Sequence, residues 1–458
     1  MGLLDALVGI SGFLPEIKAP TKEVPFKQKL LWTTVAVLIF FILGNIWLIG
    51  LDTASGNIQQ LQMIQTLLAS NIGTIISAGI GPIVMASIIL QLFVGAKLIP
   101  IDLSDPQGRS KFQALQKLFA VALCFIEGFI YVAGGMLVPM GGVSLMNPML
   151  YFVSLQIALG SLILLYLDEI VSKWGIGSGI SLFIAAGVSG AMFWQLFSFP
   201  IPFAANPAIQ AQGGILWSTF TSGNLLWLLP IVGVIAIFLV VTFAEGMHVN
   251  IPITMGHRGT GGRYPVKFLY VSNMPVILAV ALFANVNLWA LFLAKVPILG
   301  DLAQGLSWAV TRPTIGGMSL VQGLFIQGIN SVTLLAMLQG AIYLFLLIIA
   351  CIVFGWFWVQ MGNQSTEAVA EQLYRSGMQI PGFRKDKRIM EKVLSRYIPP
   401  ITILGSIFVA LLAGMGDFVL SGLASGTGIL LTVGIVYRFY EEIAKSQAEA
   451  LAPLLGKL

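Results

Sequence analysis

A series of long apolar runs constrains this chain more than any other feature of its sequence. Ten stretches of roughly 20 mostly apolar residues follow one another, at about 30–50, 74–97, 118–140, 149–168, 179–199, 225–243, 273–293, 338–360, 398–414 and 421–440. A helix of this length matches the hydrocarbon core of a bilayer. Only 9% of the 458 residues are charged, whereas soluble domains carry about a quarter. The runs therefore predict an all-α membrane protein with ten transmembrane helices.

The basic residues predict the orientation of these spans. Ten spans put both termini on one side, and if that side is cytoplasmic, 22 of the 24 Lys and Arg residues fall there. Only Lys295 and Arg312 lie outside. Cytoplasmic loops of membrane proteins carry an excess of these residues. We therefore expect a multi-pass protein of the cell membrane with both termini in the cytoplasm, beginning with an amphipathic surface segment over residues 1–29.

Two short motifs are typical of intramembrane proteases, but the residues that would complete them are misplaced. GVSG at 187–190 offers a serine, which needs a histidine base at the same depth. The two histidines, His248 and His257, fall in a predicted cytoplasmic loop. GMGD ends at Asp417, predicted in the outer loop after span nine, whereas Asp168 lies at the inner end of span four. We expect no enzymatic activity, no catalytic residue, no metal and no cofactor.

A secondary transporter or solute channel is the alternative interpretation. Such proteins bind ions or protons through ionisable residues near the middle of the membrane, and Glu127 is the clear candidate here. They also use broken helices. Residues 56–98 fit that description, because a short glutamine-rich segment precedes an apolar run weakened by glycines and by Pro82, a residue that tends to kink helices.

Two of the runs share a pattern of aliphatic residues behind glycines. Ile80 and Val84 lie four residues apart and so share a helix face, and Ile180 and Ile184 repeat the spacing. On the pattern alone, such helices pack closely through their glycines.

Two long loops hold ten of the 22 cytoplasmic basic residues, at 245–272 and 361–397. These basic residues can keep the loops on the cytoplasmic side, bind anionic lipid, or dock an anionic partner such as RNA. The charge pattern does not choose among these.

Five longer motifs resemble the SecY family, the channel-forming subunit of the Sec protein translocon, and specifically its archaeal branch. They are similar to the family's second span, its span four to five junction, the start of span seven, the tip of the loop after span eight, and span ten. In order they read LLASNIGTIISAGIGPIVMASIILQLF, LDEIVSKWGIGSGISLFIAAGV, YPVKFLYVSNMPVIL, IPGFR and SGTGILLTVGIVYRFYEEIAK.

The resemblance implies an architecture and a function. Two pseudo-symmetric five-helix halves, 30–199 and 225–440, would surround a central pore, joined by an external connection at 200–224 and followed by a cytoplasmic tail at 441–458. Residues of about 57–71 would form a short re-entrant plug helix. Such a channel moves unfolded secretory polypeptides across the membrane and releases transmembrane segments sideways into lipid.

The resemblance also implies site residues. A pore ring of aliphatic side chains would comprise Ile80, Val84, Ile180, Ile184, Ile277 and Leu431, with Leu430 as the alternative to Leu431. The lateral gate would carry the polar residues Glu127 and Asn285, joined by one hydrogen bond, and would have Met85 where the family commonly has Thr. Hinge positions of the gate would be Gly79, Gly81, Pro82 and Pro275.

The implied partners bind at several surfaces. Cytosolic partners, above all the ribosome through its RNA and protein, would dock at Arg258, Arg263 and Arg384. SecE and the small beta subunit would complete the translocon. Signal sequences and nascent polypeptides would enter the pore, and the bilayer would surround it.

Overall fold

Helices make up most of the chain in the computed structural model. It describes residues 8–9, 11–12, 14–22, 24–52, 71–95, 98–99, 101, 105–198, 214–223, 228–255, 261–271, 273–293, 300–315, 318–362, 364–379, 386–420 and 426–455. The helices there are α1 (Phe26–Leu43), α2 (Gly81–Gly95), α3 (Pro106–Ala133), α4 (Pro148–Trp174), α5 (Gly179–Phe197), α6 (Ile215–Ser222), α7 (Leu229–Gly246), α8 (Met274–Leu293), α9 (Gly300–Val310), α10 (Leu320–Gln327), α11 (Ser331–Met361), α12 (Thr366–Arg375), α13 (Lys387–Leu394), α14 (Ile398–Val419) and α15 (Gly426–Leu455).

The predicted spans and the helices coincide. Each of the ten predicted runs overlaps one of these helices. Among the described residues, seven helices are long and apolar enough to cross a membrane, and two shorter apolar helices, Gly81–Gly95 and Met274–Ala290, accompany them. The prediction of a mostly helical membrane protein is thus confirmed.

The second span starts later than the sequence predicts. Residues 71–80 form turns, and α2 begins at Gly81. Gly73 and Gly79 adopt φ values of +91° and +56°, which a right-handed helix cannot contain and which glycine tolerates best. Pro82 therefore lies in the first turn of α2, where its missing N–H breaks no helical hydrogen bond. The expectation that Pro82 kinks the span was wrong.

The ninth span extends further than predicted. α14 continues to Val419, so Asp417 lies inside a helix and not in an outer loop. Its side chain is 3% exposed. Tyr343 of α11 donates a hydrogen bond to Asp417 Oδ2 at 2.9 Å, and the Gly426 N–H of α15 donates to Oδ1 at 2.7 Å. These partners allow a carboxylate to be buried there.

Close backbone approaches hold the helices together. A Cβ built on Gly128 of α3 would lie 2.8 Å from the carbonyl oxygen of Ser154 in α4, and one built on Gly416 of α14 would lie 2.7 Å from Cα of Gly426 in α15. In lipid, burying apolar surface provides little force between helices, and such contacts of small residues provide most of it.

Large apolar side chains cover the outside of the helices. Examples are Leu38 at 56% exposure in α1, Phe243 at 72% in α7 and Phe345 at 63% in α11. A soluble protein does not expose so much apolar surface, and lipid chains are the medium in which it is stable.

A small sheet joins the two long basic loops. Strands β1 (His248–Met255) and β2 (Gly261–Lys267) pair antiparallel, and β5 (Met378–Gln379) pairs with the end of β1. A second, two-stranded sheet pairs β3 (Thr314–Ile315) with β4 (Met318–Ser319). Ile251 and Val266 of the first sheet pack with Leu373 of α12 and Leu394 of α13 in one buried cluster. The loops at 245–272 and 361–397 therefore fold as one unit.

Candidate functional site

Five of the six predicted ring residues line a single small cavity between four parts of the chain. Ile80 precedes α2 and Val84 lies within it, Ile184 comes from α5, Ile277 from α8 and Leu431 from α15. All five are less than 9% exposed. Val280 and Ala281 complete the lining. We call these seven residues the aliphatic waist.

Local geometry explains why these side chains converge. The turn around Gly79 ends in a hydrogen bond from the Val84 N–H to the Ile80 carbonyl at 3.1 Å, which places the two side chains one turn apart on one face. Val280 and Ala281 lie three and four residues after Ile277 and so share its face of α8. That spacing is the sequence signal by which both could have been found.

The cavity is almost closed. The space inside it that a water-sized sphere can reach is about 10 Å³, roughly what one water molecule needs. All seven lining residues are aliphatic and offer water no side-chain hydrogen bond. An apolar constriction of this kind excludes ions because water does not wet it.

The sixth ring residue sits beside the waist. Ile180 packs against the same buried cluster but is partly exposed and does not line the cavity. Its N–H donates to Asp168 Oδ1 at 2.8 Å. Of the two candidates in α15, Leu431 lines the cavity, whereas Leu430 is buried at 1% exposure and its carbonyl oxygen accepts from Asn273 Nδ2.

Both predicted gate residues are buried. Glu127 of α3 is 0% exposed and Asn285 of α8 is 2% exposed. The expected hydrogen bond between them is not formed, because Asn285 Nδ2 donates to Ala281 O in its own helix at 2.9 Å and neither Glu127 oxygen has a partner. Met85 is 4% exposed and belongs to the apolar cluster.

The helices that carry these residues meet along a seam between two pairs of helices. α2 and α3 pack against α8, and α2 also meets α11. At that meeting a Cβ on Gly95 would overlap the ring of Phe357. Pro275, one of the predicted hinges, lies at the start of α8, 3.5 Å from where a Cβ on Gly355 of α11 would sit.

The predicted docking arginines are only partly covered by the structure. Arg263 is exposed on β2, opposite Pro252 of β1. Arg258 and Arg384 lie outside the described residues, as do most of the predicted plug residues.

Charged side chains bridge the helices on either side of the segment that contains Arg384. Glu371 of α12 accepts from Lys387 of α13 at 2.9 Å and from Arg375 at 2.6 Å. The hydrogen bonds from Lys387 and then Arg375 hold the pKa of Glu371 below its ordinary value.

Among the described residues, which do not include His257, those of the two protease-like motifs do not form catalytic pairs. Ser189 is exposed on α5, and His248 is exposed on β1 with Nδ1 near the Gly246 carbonyl. Asp168 and Asp417 each accept from the backbone N–H of a different helix, Ile180 of α5 and Gly426 of α15.

A family model matches most of the chain, and an archaeal relative matches nearly all of it. The SecY family model matches residues 74–440. The protein translocase subunit SecY of Methanocaldococcus jannaschii is 41% identical over 472 residues, which cover 99% of each chain.

Two solved structures have the same fold. One is a SecY whose plug domain is described as stabilising the closed state of the translocation channel and maintaining a membrane seal; it matches with a TM-score of 0.78 and 39% identity over 99% of this chain and 100% of that one. The other is Sec61 in the canine ribosome-channel complex from the endoplasmic reticulum, with a TM-score of 0.76 and 39% identity over 99% and 100%. The expected resemblance is confirmed over the full length, and this chain belongs to the SecY family.

Proposed function

We propose that this chain is the pore-forming subunit of a Sec-type protein-conducting channel. It moves unfolded secretory polypeptides across the membrane and releases transmembrane segments sideways into lipid, without chemistry of its own. The observation that carries the proposal is the aliphatic waist, in which five of the six predicted ring residues converge on one cavity. Its membership of the SecY family supports the same function.

The chemistry of the waist suits a polypeptide substrate. Aliphatic side chains make no directional bonds, so they can close around any sequence without selecting it. At rest the same side chains exclude ions. A solute transporter needs polar ligands at its binding site, but the waist has only aliphatic ones, and Glu127 is not among the residues that line it.

The architecture follows from the same proposal. Ten spans form the two five-helix halves at 30–199 and 225–440, and the segment of about 57–71 closes the outer side as a plug. The seal attributed to the plug domain of a relative supports this role. The distribution of Lys and Arg supports cytoplasmic termini and a location in the cell membrane.

The seam between α2–α3 and α8–α11 is the lateral gate. Glu127 and Asn285 are buried residues of two of its helices, α3 and α8, and buried polar groups in a membrane protein weaken apolar packing unless they are bonded. The turns at Gly79 and Gly81 and the helix starts at Pro82 and Pro275 are the hinges. These residues let α2 and α8 swing without breaking helical hydrogen bonds, since all four lie in or next to the first turn of a helix.

The sheet formed by the two basic loops is the docking surface for the ribosome, through Arg258, Arg263 and Arg384. Phosphates of RNA bind Arg and Lys without regard to sequence. The ribosome-channel complex of the canine relative supports this partner. SecE and the small beta subunit complete the assembly.

Site-specific photocrosslinking tests the proposal. A photoreactive residue replaces Ile184 in membranes that carry a stalled secretory nascent chain. Phe193, 58% exposed on the same helix, is the matched control position. We expect adducts with the nascent chain from position 184, and not from 193, and only when the signal sequence is functional. If neither position 184 nor position 80 gives adducts while ribosomes are bound, the polypeptide does not pass the waist and the proposal fails.

A further inference from the structure

Asp168, a residue of α4, caps the start of helix α5. It lies near the end of α4, and its Oδ1 accepts from the Ile180 N–H at 2.8 Å. Ser178, at the position that usually caps a helix, makes no side-chain capping bond. A Cβ on Gly179 would lie 2.5 Å from Cα of Asp168, so the first turn of α5 is pressed against the carboxylate's own backbone.

Asp417 does the same for helix α15. It lies near the end of α14, and its Oδ1 accepts from the Gly426 N–H, the first residue of α15, at 2.7 Å. Gly416 and Gly426 press backbone against backbone, just as Gly179 presses on Asp168. Among the described residues, this arrangement occurs once in each proposed half, at the junction of the last two long helices of that half.

Both helices that start this way carry residues of the waist. Ile184 lies one turn after Ile180, and Leu431 lies five residues after Gly426. Each residue of an α-helix adds 100° of rotation and 1.5 Å of rise. The point at which a helix starts therefore determines which side chain faces the cavity, and in α15 a change of one residue would exchange Leu431 for Leu430.

We propose that Asp168 and Asp417 are positioning residues of the aliphatic waist, each of which holds one helix in the rotation that turns its aliphatic side chain into the seal. The inference rests on the proposed function, in which the waist seals a pore. It gives a purpose to the half-buried Asp168 and the buried Asp417, which no catalytic role explains.

The first test measures helix position directly. In a chain with Cys124 and Cys351 changed to Ala, the pair Ile184→Cys and Ile277→Cys reports the setting of α5 against α8, and Ile277→Cys with Leu431→Cys reports that of α15. Loss of a helix cap shifts a two-state equilibrium by about five-fold. We therefore expect Asp168→Ala to lower the ratio of cross-linked to free chain for the first pair, and Asp417→Ala that for the second, by about five-fold. Asp168→Asn, which keeps an oxygen acceptor, should restore the yield.

The second test measures the resting ion conductance of the full-length chain in a planar bilayer. Asp168→Ala and Asp417→Ala should each raise it by about five-fold, in proportion to the shift expected for a lost cap, and Asp168→Asn should not. Tyr343→Phe is the matched control for Asp417, because it removes the hydrogen bond to Oδ2 and leaves the bond from Gly426 to Oδ1. Asn147→Ala, which removes the side-chain cap of α4 far from the waist, controls for loss of a cap in general. Both controls should conduct as the unmodified chain does.

The outcomes separate the two proposals. Unchanged disulfide yields in both Ala variants overturn the positioning role, whatever the conductance. Equal effects of Asp168→Ala and Asp168→Asn, or a leak from Asn147→Ala, overturn it too, because they indicate a general loss of stability. If the disulfide yields fall as expected but neither Asp168→Ala nor Ile184→Asn conducts, the positioning role stands and the pore seal fails.

Discussion

The side-chain amide of Asn273 donates a hydrogen bond to the backbone carbonyl of Leu430, at 3.3 Å. Asn273 is the residue before α8, and Leu430 is the fifth residue of α15. The same side chain lies over Gly434, one turn further along α15, where a Cβ would overlap Asn273 Nδ2. One asparagine thus joins the two helices that carry Ile277 and Leu431.

Gly434→Ala is expected to destabilise the protein by about 1–3 kcal/mol, because an added methyl in a filled site forces neighbouring groups apart. The thermal unfolding midpoint in detergent measures the loss. Gly305→Ala in α9 is the matched control, since nothing lies within 4 Å of its Cβ position. It should be neutral or stabilise by up to about 1 kcal/mol. Equal midpoints for the two variants would show that Asn273 moves aside at no cost.

Ile184→Asn and Ile80→Asn are each expected to raise the resting ion conductance, because an amide in the waist gives water hydrogen-bonding partners and lets it wet the constriction. Both should also admit secretory proteins with weak signal sequences. Planar-bilayer recording measures the first effect and a translocation assay the second. Ile184→Leu keeps the volume and apolar character of the side chain and should leave the seal intact. If both Asn variants conducted no more ions than the unmodified chain, the hypothesis that these residues form a sealing ring would fail.

Glu169→Ala is expected to release the N-terminal segment from the helices. Glu169 of α4 accepts from Lys117 of α3 and Lys173 at 2.8 Å each, and from the Ile17 N–H at 3.2 Å. Removal of the carboxylate leaves the Ile17 N–H without its acceptor and takes a charged partner from both lysines, which keep the carbonyl oxygens of Pro15 and Ile17. The loss is about 1–3 kcal/mol, and trypsin should then cut faster at Lys18 and Lys22.

Glu16→Ala is the control for that change. Glu16 contacts the same Lys173 at 3.0 Å, but its side chain is 74% exposed, so the pair contributes at most about 1 kcal/mol. If both variants were cut at the same rate, Glu169 would not hold the segment.

Low pH is expected to weaken the charged contact between α12 and α13. The pKa of Glu371 lies below its ordinary 4.5 because the carboxylate accepts from Lys387 and Arg375, so its contribution is complete above that pH and is lost as the pH falls through the lowered value. Hydrogen-exchange protection factors of the two helices, which correct for intrinsic exchange, should fall below about pH 4.5. Glu371→Gln should reduce protection at pH 7, whereas Glu367→Gln in the same helix should not. Protection in Glu371→Gln equal to that of the unmodified chain would rule out the bridge.

Arg384→Glu is expected to weaken ribosome binding to membranes that contain the channel, with folding unchanged, because it replaces attraction to RNA phosphates by repulsion. Co-sedimentation at several salt concentrations measures the effect, which should shrink as salt rises. Lys457→Glu reverses a charge in the C-terminal tail and is the control. Unaltered binding by the Arg384 variant would leave the basic loop with a role in topology alone.

Much of the fold could be predicted because lipid imposes simple rules. Apolar runs must become helices, and basic residues stay in the cytoplasm. The convergence of Ile80, Val84, Ile184, Ile277 and Leu431 came from the family resemblance, not from the pattern, which equally fits ordinary packing. Whether Leu430 or Leu431 faces the cavity depends on where α15 starts, since neighbouring side chains in a helix point in directions 100° apart.

The errors have a common physical cause. Asp417 is predicted in a loop because it follows the apolar run of span nine, which ends at about residue 414, yet the helix continues to Val419, and Tyr343 and the start of α15 bond the carboxylate. The predicted kink at Pro82 assumed that the helix had already begun. The expected bond between Glu127 and Asn285 ignored the carbonyl of Ala281, which is nearer along the chain. Each outcome depends on where a helix begins or on which hydrogen-bond partner lies within reach. Hydropathy reports neither.

The almost complete filling of the waist implies that the passage is not a permanent part of this molecule. A helix with its side chains is about 10–12 Å wide, and about 10 Å³ cannot admit even an extended strand. Rotamer changes of seven aliphatic side chains do not create that width, so α2, α5, α8 and α15 must exchange one set of neighbours for another whenever cargo crosses. The translocating polypeptide then fills the space between these helices and contacts their waist side chains. The helices return to the closed packing once its last residue has left.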